Sequence, residues 1–198
     1  MKLIGVVFAI LLVIAAAAAI FAYSGAFDVA ADVPHSALVT WMMEIVRDRS
    51  IAVRTKEIQA PALDDPKLIT EGAEHYASMC VGCHLAPGIK DSEIRTGLYP
   101  QPPNLTEHTN ATPAEMFWVI KHGVKMTAMP AWGKTHDDQS IWSLVAFSQK
   151  LPELSPEQYE ALVHASSEPH HEHHSHDHAG RSGYGSGEHS QPLRRHWR

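Results

Sequence analysis

Twenty consecutive residues, Leu3 to Ala22, carry only apolar side chains or glycine, without one charge. No other feature constrains the chain so strongly. A helix of about 20 such residues spans a hydrocarbon core of roughly 30 Å, so this segment belongs in lipid and the remainder in water. Lys2 is the only flanking positive charge. A cleaved signal peptide is the rival reading, because small residues around Ala22 to Ala26 suit a peptidase, although secretory apolar regions run about 7–15 residues. Under either reading the polypeptide is exported. The expected location is the cytoplasmic (inner) membrane, single-pass, with the folded part facing the periplasm or cell exterior and Tyr23 at the interface.

Downstream of the apolar run, Leu38, Trp41, Met42, Ile45 and Val46 recur at helical spacing, with Glu44, Arg47 and Asp48 on the other face. Such an amphipathic helix lies on a membrane surface or packs on a folded domain. Packing on the domain is expected, since basic residues hardly exceed acidic ones on the polar side. Ala60 to Pro66 reads as a linker, and Asp65-Pro66 as a helix start running to about Cys80. Leu85 to Ala111 shows no period and is long for an ordinary connection. Thr112-Pro113-Ala114-Glu115 is a capping box for a helix ending near Gly123. Asp138 is the expected cap of a further helix bearing Ile141, Trp142, Leu144, Val145 and Phe147, which Leu151-Pro152 stops. Ser155-Pro156-Glu157-Gln158 opens a last short helix with Tyr159, Leu162 and Val163. No strand signal is convincing.

The net charge of -6 and the scattered Lys and Arg residues give no footprint for nucleic acid. Two cysteines are present, Cys80 and Cys83, too close in sequence for a stabilising disulfide. They sit in Cys80-Val81-Gly82-Cys83-His84. Two thiols about one helical turn apart can each reach a vinyl group on adjacent rings of one porphyrin, and the next residue turns its imidazole under the iron. A thioredoxin-like pair would want a strand ahead of it, and a zinc site further Cys or His at ligand spacing. Neither context is present. The motif is therefore read as an attachment site for one covalent haem c, with Cys80 and Cys83 bonded and His84 as an iron ligand.

Beyond this motif the chain resembles the class I cytochromes c. Gly72, Tyr76 and Cys80 stand four apart, as the small residue, aromatic and first haem cysteine do on that family's opening helix. Leu144 and Phe147 look like the pair on the late helix that crosses it, and a glycine facing an aromatic lets two helix backbones approach closely. Pro102-Pro103-Asn104-Leu105 is similar to the family's loop whose proline carbonyl accepts from the ligating histidine, which makes Pro103 the expected acceptor for His84. The segment Met126-Thr127-Ala128-Met129-Pro130-Ala131-Trp132-Gly133 resembles the distal loop, with Met129 as sixth ligand; Met126, His122 and His75 are the alternatives. Tyr76, Trp132, Trp142 and Phe117 serve as a shell excluding water from the haem or as an electron path.

The resemblance covers roughly Asp65 to Leu151 and implies an all-α fold around one haem. The expected organisation is a membrane anchor or signal over 1–26, a membrane-proximal amphipathic helix and linker over 27–60, the cytochrome domain over 61–166 and a disordered tail over 167–198. More than half of the fifteen histidines lie beyond Val163. Of these His170, His171, His173, His174, His176 and His178, interleaved with Glu172 and Asp177, are candidate ligands for copper, nickel or zinc. The glycosylation patterns at Asn104 and Asn110 read as chance matches on a bacterial export route. Single-electron transfer within a bacterial respiratory chain is the expected function, with a quinol-oxidising complex or terminal oxidase as partner and no small organic substrate. The competing readings are a haem enzyme or sensor with an open sixth position, and a copper-handling protein using the tail. No set of general acid, base and nucleophile lies near the motif, so an enzyme is not expected.

Overall fold

The computed structural model describes residues 2–167, with side-chain placement to residue 165, and over them the chain is helical without a strand. The His-rich segment from His170 to His178 lies outside the described residues. Helix α1, Lys2–Tyr23, coincides with the apolar run and is the one described helix long and apolar enough to cross a membrane. Helix α2 follows over Ala37–Arg54.

The haem-motif region opens on α3, Pro66–Met79. The Asp65 carboxylate accepts from the Lys67 amide at 2.9 Å and Pro66 takes the first helical position, so two orphan donors are dealt with by composition alone. After a short turn, α4 covers Val81–His84 and α5 covers Glu93–Thr96. The latter is a helix inside the segment expected to be irregular; four residues are too few to reveal a period, but Ser92 caps it by accepting from Arg95 N. Helix α6, Pro113–His122, carries the Thr112/Glu115 capping box in both directions. Helix α7 runs over Asp138–Lys150 and α8 over Pro156–Ser167. Ser155 and Gln158 again cap each other reciprocally.

The cap of α7 is one residue earlier than expected. Asp137, in extended backbone, accepts from Ser140 N at 2.8 Å, whereas Asp138 lies inside the helix and pairs with Lys121 Nζ at 2.6 Å. Two adjacent aspartates are equivalent by type, and the cross-helix cation takes the second.

The centre of the domain is the crossing of α3 with α7. A side chain on Gly72 would put its Cβ 2.0 Å from the Ser143 carbonyl oxygen and 2.8 Å from Phe147 Cβ, so the helices meet at backbone distance. Around this point Ala73, Tyr76, Leu144, Phe147 and Leu151 are buried, with Cys80, Val81, Leu105 and the α8 residues Tyr159 and Leu162 packed on them. A second cluster of Met116, Phe117, Ile141 and Val145 joins α6 to α7, and Ile58 and Leu63, between α2 and α3, pack on it.

Helix α2 corrects one expectation. Its half-buried residues are Thr40, Met43, Ser50 and Ile51, on the side that meets α6, and Thr55 just beyond its end is buried. The apolar residues Leu38, Trp41, Met42, Ile45 and Val46 are instead all exposed. The helix rests on the domain by the side that carries its half-buried residues, where it meets α6. Its larger apolar face is left outward.

Candidate haem site

Cys80 closes α3, its amide donating to Tyr76 O at 2.9 Å, and Cys83 and His84 occupy the next turn, each amide donating to Cys80 O. Both sulfurs are thus presented from one continuous turn of backbone, with neither cysteine engaged in a disulfide. Burial, with Cys83 beside it, pushes the Cys80 thiol up to about 12. That is opposite to the depressed thiol of a redox-exchange pair, which works as thiolate.

His84 Nδ1 lies 2.9 Å from the Pro103 carbonyl oxygen. A proton on Nδ1 donates to that oxygen and leaves the Nε2 lone pair free. Burial holds the His84 imidazole below its ordinary value, outweighing the Pro103 carbonyl, with the nearby Arg95 charge acting in the same direction as burial. Both effects favour the neutral ring, the form that ligates a metal. Main-chain pairing fixes the two segments as well, since Leu105 N donates to His84 O at 3.1 Å. Immediately after His84 the chain reverses at Leu85, whose φ of 66° is in the left-handed region while its side chain is buried. The Tyr76 hydroxyl donates to Leu85 O at 2.7 Å and so satisfies a buried carbonyl at this reversal.

The loop after α6 is built as a hydrogen-bonded ring. Thr127 Oγ1 donates to Val124 O at 2.8 Å, Met129 N donates to Thr127 Oγ1 at 3.1 Å, and Val124 N donates to Met129 O at 3.3 Å. Gly123, at φ 65°, is obligatory here: a Cβ would stand 2.7 Å from Met129 O and 2.8 Å from Pro130 C. Met129 is half-buried, whereas Met126 is 79% exposed. His122 is exposed and leans on Trp118, and His75 meets His136 edge to face at 5.6 Å. The aromatics expected to act together divide. Tyr76 packs on Phe147 in the first cluster; Phe117 stacks on Trp142 at 4.2 Å in the second; Trp132 is half-buried against His136. Asn104 is used locally, its Oδ1 accepting from Thr106 N and Oγ1.

One residue of the site escaped sequence reading. Arg95 is carried by α5, which Ser92 fastens to α4 by a hydroxyl hydrogen bond to Gly82 O. Its side chain is 15% exposed, one terminal nitrogen lies 3.5 Å from Asp91, and its Nε is buried without a partner among the described residues. A buried guanidinium N–H left unmade is costly, and a carboxylate fits it. Haem brings two propionate carboxylates, so this orphan donor beside the cysteine-histidine turn is compatible with the group that the motif implies.

Residues 67–147 match the family model described as cytochrome c oxidase, cbb3-type, subunit III. The chain carries a class I c-type cytochrome domain. Neither a curated protein nor a solved structure matches the chain. The matched segment of the cytochrome domain starts within α3 and ends within α7, so it contains the cysteine-histidine turn, Pro103, Arg95 and Met129 together. Covalent haem c and haem-based electron transfer follow from the domain at this level.

Proposed function

We propose that the chain is a membrane-anchored, single-haem electron carrier of a bacterial respiratory chain, rather than an enzyme. It would be held by α1 with the cytochrome domain outside the cytoplasmic membrane, and it would exchange electrons with a quinol-oxidising complex or terminal oxidase. Haem c supplies a one-electron ferrous/ferric couple. The chain's own residues would supply the rest: Cys80 and Cys83 would hold the group through thioethers, and His84 and Met129 would ligate its iron. Pro103 fixes the His84 ring, and Arg95 meets a propionate. Ligation by both His84 and Met129 would leave no site on the iron for a substrate, and a thioether ligand would favour the reduced state and raise the potential.

The observation that carries this reading is the 2.9 Å contact of His84 Nδ1 with Pro103 O, one residue after a cysteine pair on the same turn. Such a contact sets the tautomer and orientation of a metal-bound imidazole. For the sixth position, the ring of hydrogen bonds about Met129 supports a fixed thioether, and the exposure of Met126 counts against the alternative. The test is the optical spectrum of the matured protein with and without Met129→Ala. A low-spin wild type that loses low-spin character in the variant is expected. A high-spin wild type, or rapid carbon monoxide binding by it, would instead favour an enzyme or sensor with an open position and overturn the carrier reading.

A further inference from the structure

The outward apolar face of α2 has no occupant in the domain. Leu38, Trp41, Met42, Ile45 and Val46 follow the spacing of one helical stripe, and Val53 continues it; their exposures run from 42% to 67%. The opposite side of the same helix is the one resting on α6. A helix that gives its mixed side to its own fold and its apolar side to the surroundings is built for a second, apolar environment.

Resting on the reading of α1 as an uncleaved anchor, we infer that α2 lies in the plane of the bilayer interface, apolar face down, and seats the cytochrome domain on the membrane it is tethered to. Several observations select lipid over a second copy or another protein. Only thirteen residues separate Tyr23 from Ala37. At full extension these reach about 45 Å, so the bilayer is always within range and at high local concentration. The connecting segment is itself exposed and apolar at Phe27, Val29 and Val33, which continues the apolar surface from the anchor toward α2. Trp41 is of the type that settles at headgroup level. Arg49, one turn from Ile45 on the same stripe, has a stem long enough to lie along the apolar face with its charge in the headgroups.

The seat is coupled to the haem region. Tyr99, in the loop leading to Pro103, accepts from His35 N at 3.2 Å, and its hydroxyl lies 3.4 Å from Thr40 Oγ1. Docking of α2 therefore orients the loop that fixes His84, and with it the domain, relative to the membrane plane.

The experiment uses the full, haem-loaded chain in vesicles of phosphatidylcholine and phosphatidylglycerol. Both native cysteines are consumed by haem, so a single nitroxide is placed at Met42→Cys, Ile45→Cys, Val46→Cys or Arg47→Cys, and collisions with oxygen and with a water-soluble nickel chelate are compared. Oxygen collisions should exceed nickel collisions several-fold at 42, 45 and 46, with the order reversed at 47. Adding Trp41→Glu with Ile45→Glu to the Met42 label should lower that ratio about tenfold with an unchanged haem spectrum. Haem that floats with the vesicles while position 45 is open to nickel would overturn the seat and leave the anchor standing. Exclusion of both reagents at 45 would mean contact with another copy, and would overturn it too. Haem that does not float would remove the anchor and the seat together.

Discussion

At the scale of single residues, Tyr76 shows how much of the site depends on one buried hydroxyl. Its ring fills the α3–α7 crossing while its oxygen satisfies the Leu85 carbonyl just past the haem turn. Tyr76→Phe keeps the ring and strands the carbonyl, so a loss of about 1–3 kcal/mol is expected in denaturant titration of the haem-loaded protein. Burial raises the Tyr76 hydroxyl above the ordinary value of 10.0. Its contribution to stability is thus complete below pH 10 and declines as pH rises beyond it, because the unfolded chain ionises there first. The variant should show a shallower decline in the same titration repeated across that range. Arg95 yields a different measurement. Replacing it by Gln removes the charge held beside His84, and the midpoint potential of the haem is expected to fall, read by redox titration, because a nearby positive charge favours the reduced, less positive iron. An unchanged potential would place the guanidinium away from the haem.

Among the elements, the backbone contact at Gly72 is the most exacting. Gly72→Ala drives a methyl group into the Ser143 carbonyl, where no flexible side chain can yield. A destabilisation of about 3 kcal/mol is expected by denaturant titration, against a much smaller effect of Gly82→Ala, where a Cβ would meet only Ile94 Cδ1 at 3.7 Å. What was legible in sequence at this scale was what is decided locally. Asp65-Pro66, Thr112 to Glu115 and Ser155 to Gln158 each satisfy helix-end amides by their own side chains, and they occur where expected. The cysteine-histidine turn was legible for the same reason, since its spacing answers to a cofactor and not to a distant segment. The α7 cap, the short α5 and Arg95 were not. Asp137 and Asp138 differ only in what Lys121 does, α5 is shorter than any period, and an arginine reveals its burial only through the helix that carries it. Amphipathicity likewise marked an apolar face on α2 without specifying which neighbour would take it.

For the whole molecule, α1 and the cytochrome domain make separable demands on the environment. Haem-stained gels of fractionated cells should show the full chain in membranes. A chain whose α1 is replaced by a cleavable export signal should release the domain when the membranes are washed with high salt or dilute detergent. Recovery of the full chain in the soluble fraction would contradict the anchor. The meeting of Gly72 with Ser143 and Phe147 also joins parts of the chain that are far apart in sequence. The surfaces that close the core are about seventy residues apart, so Tyr76 is buried only once α7 has been made and has docked. Before α7 docks, the cluster against which Cys80 packs is incomplete. A chain cut short before α7 therefore leaves Tyr76 and the cysteine-histidine turn without their cover.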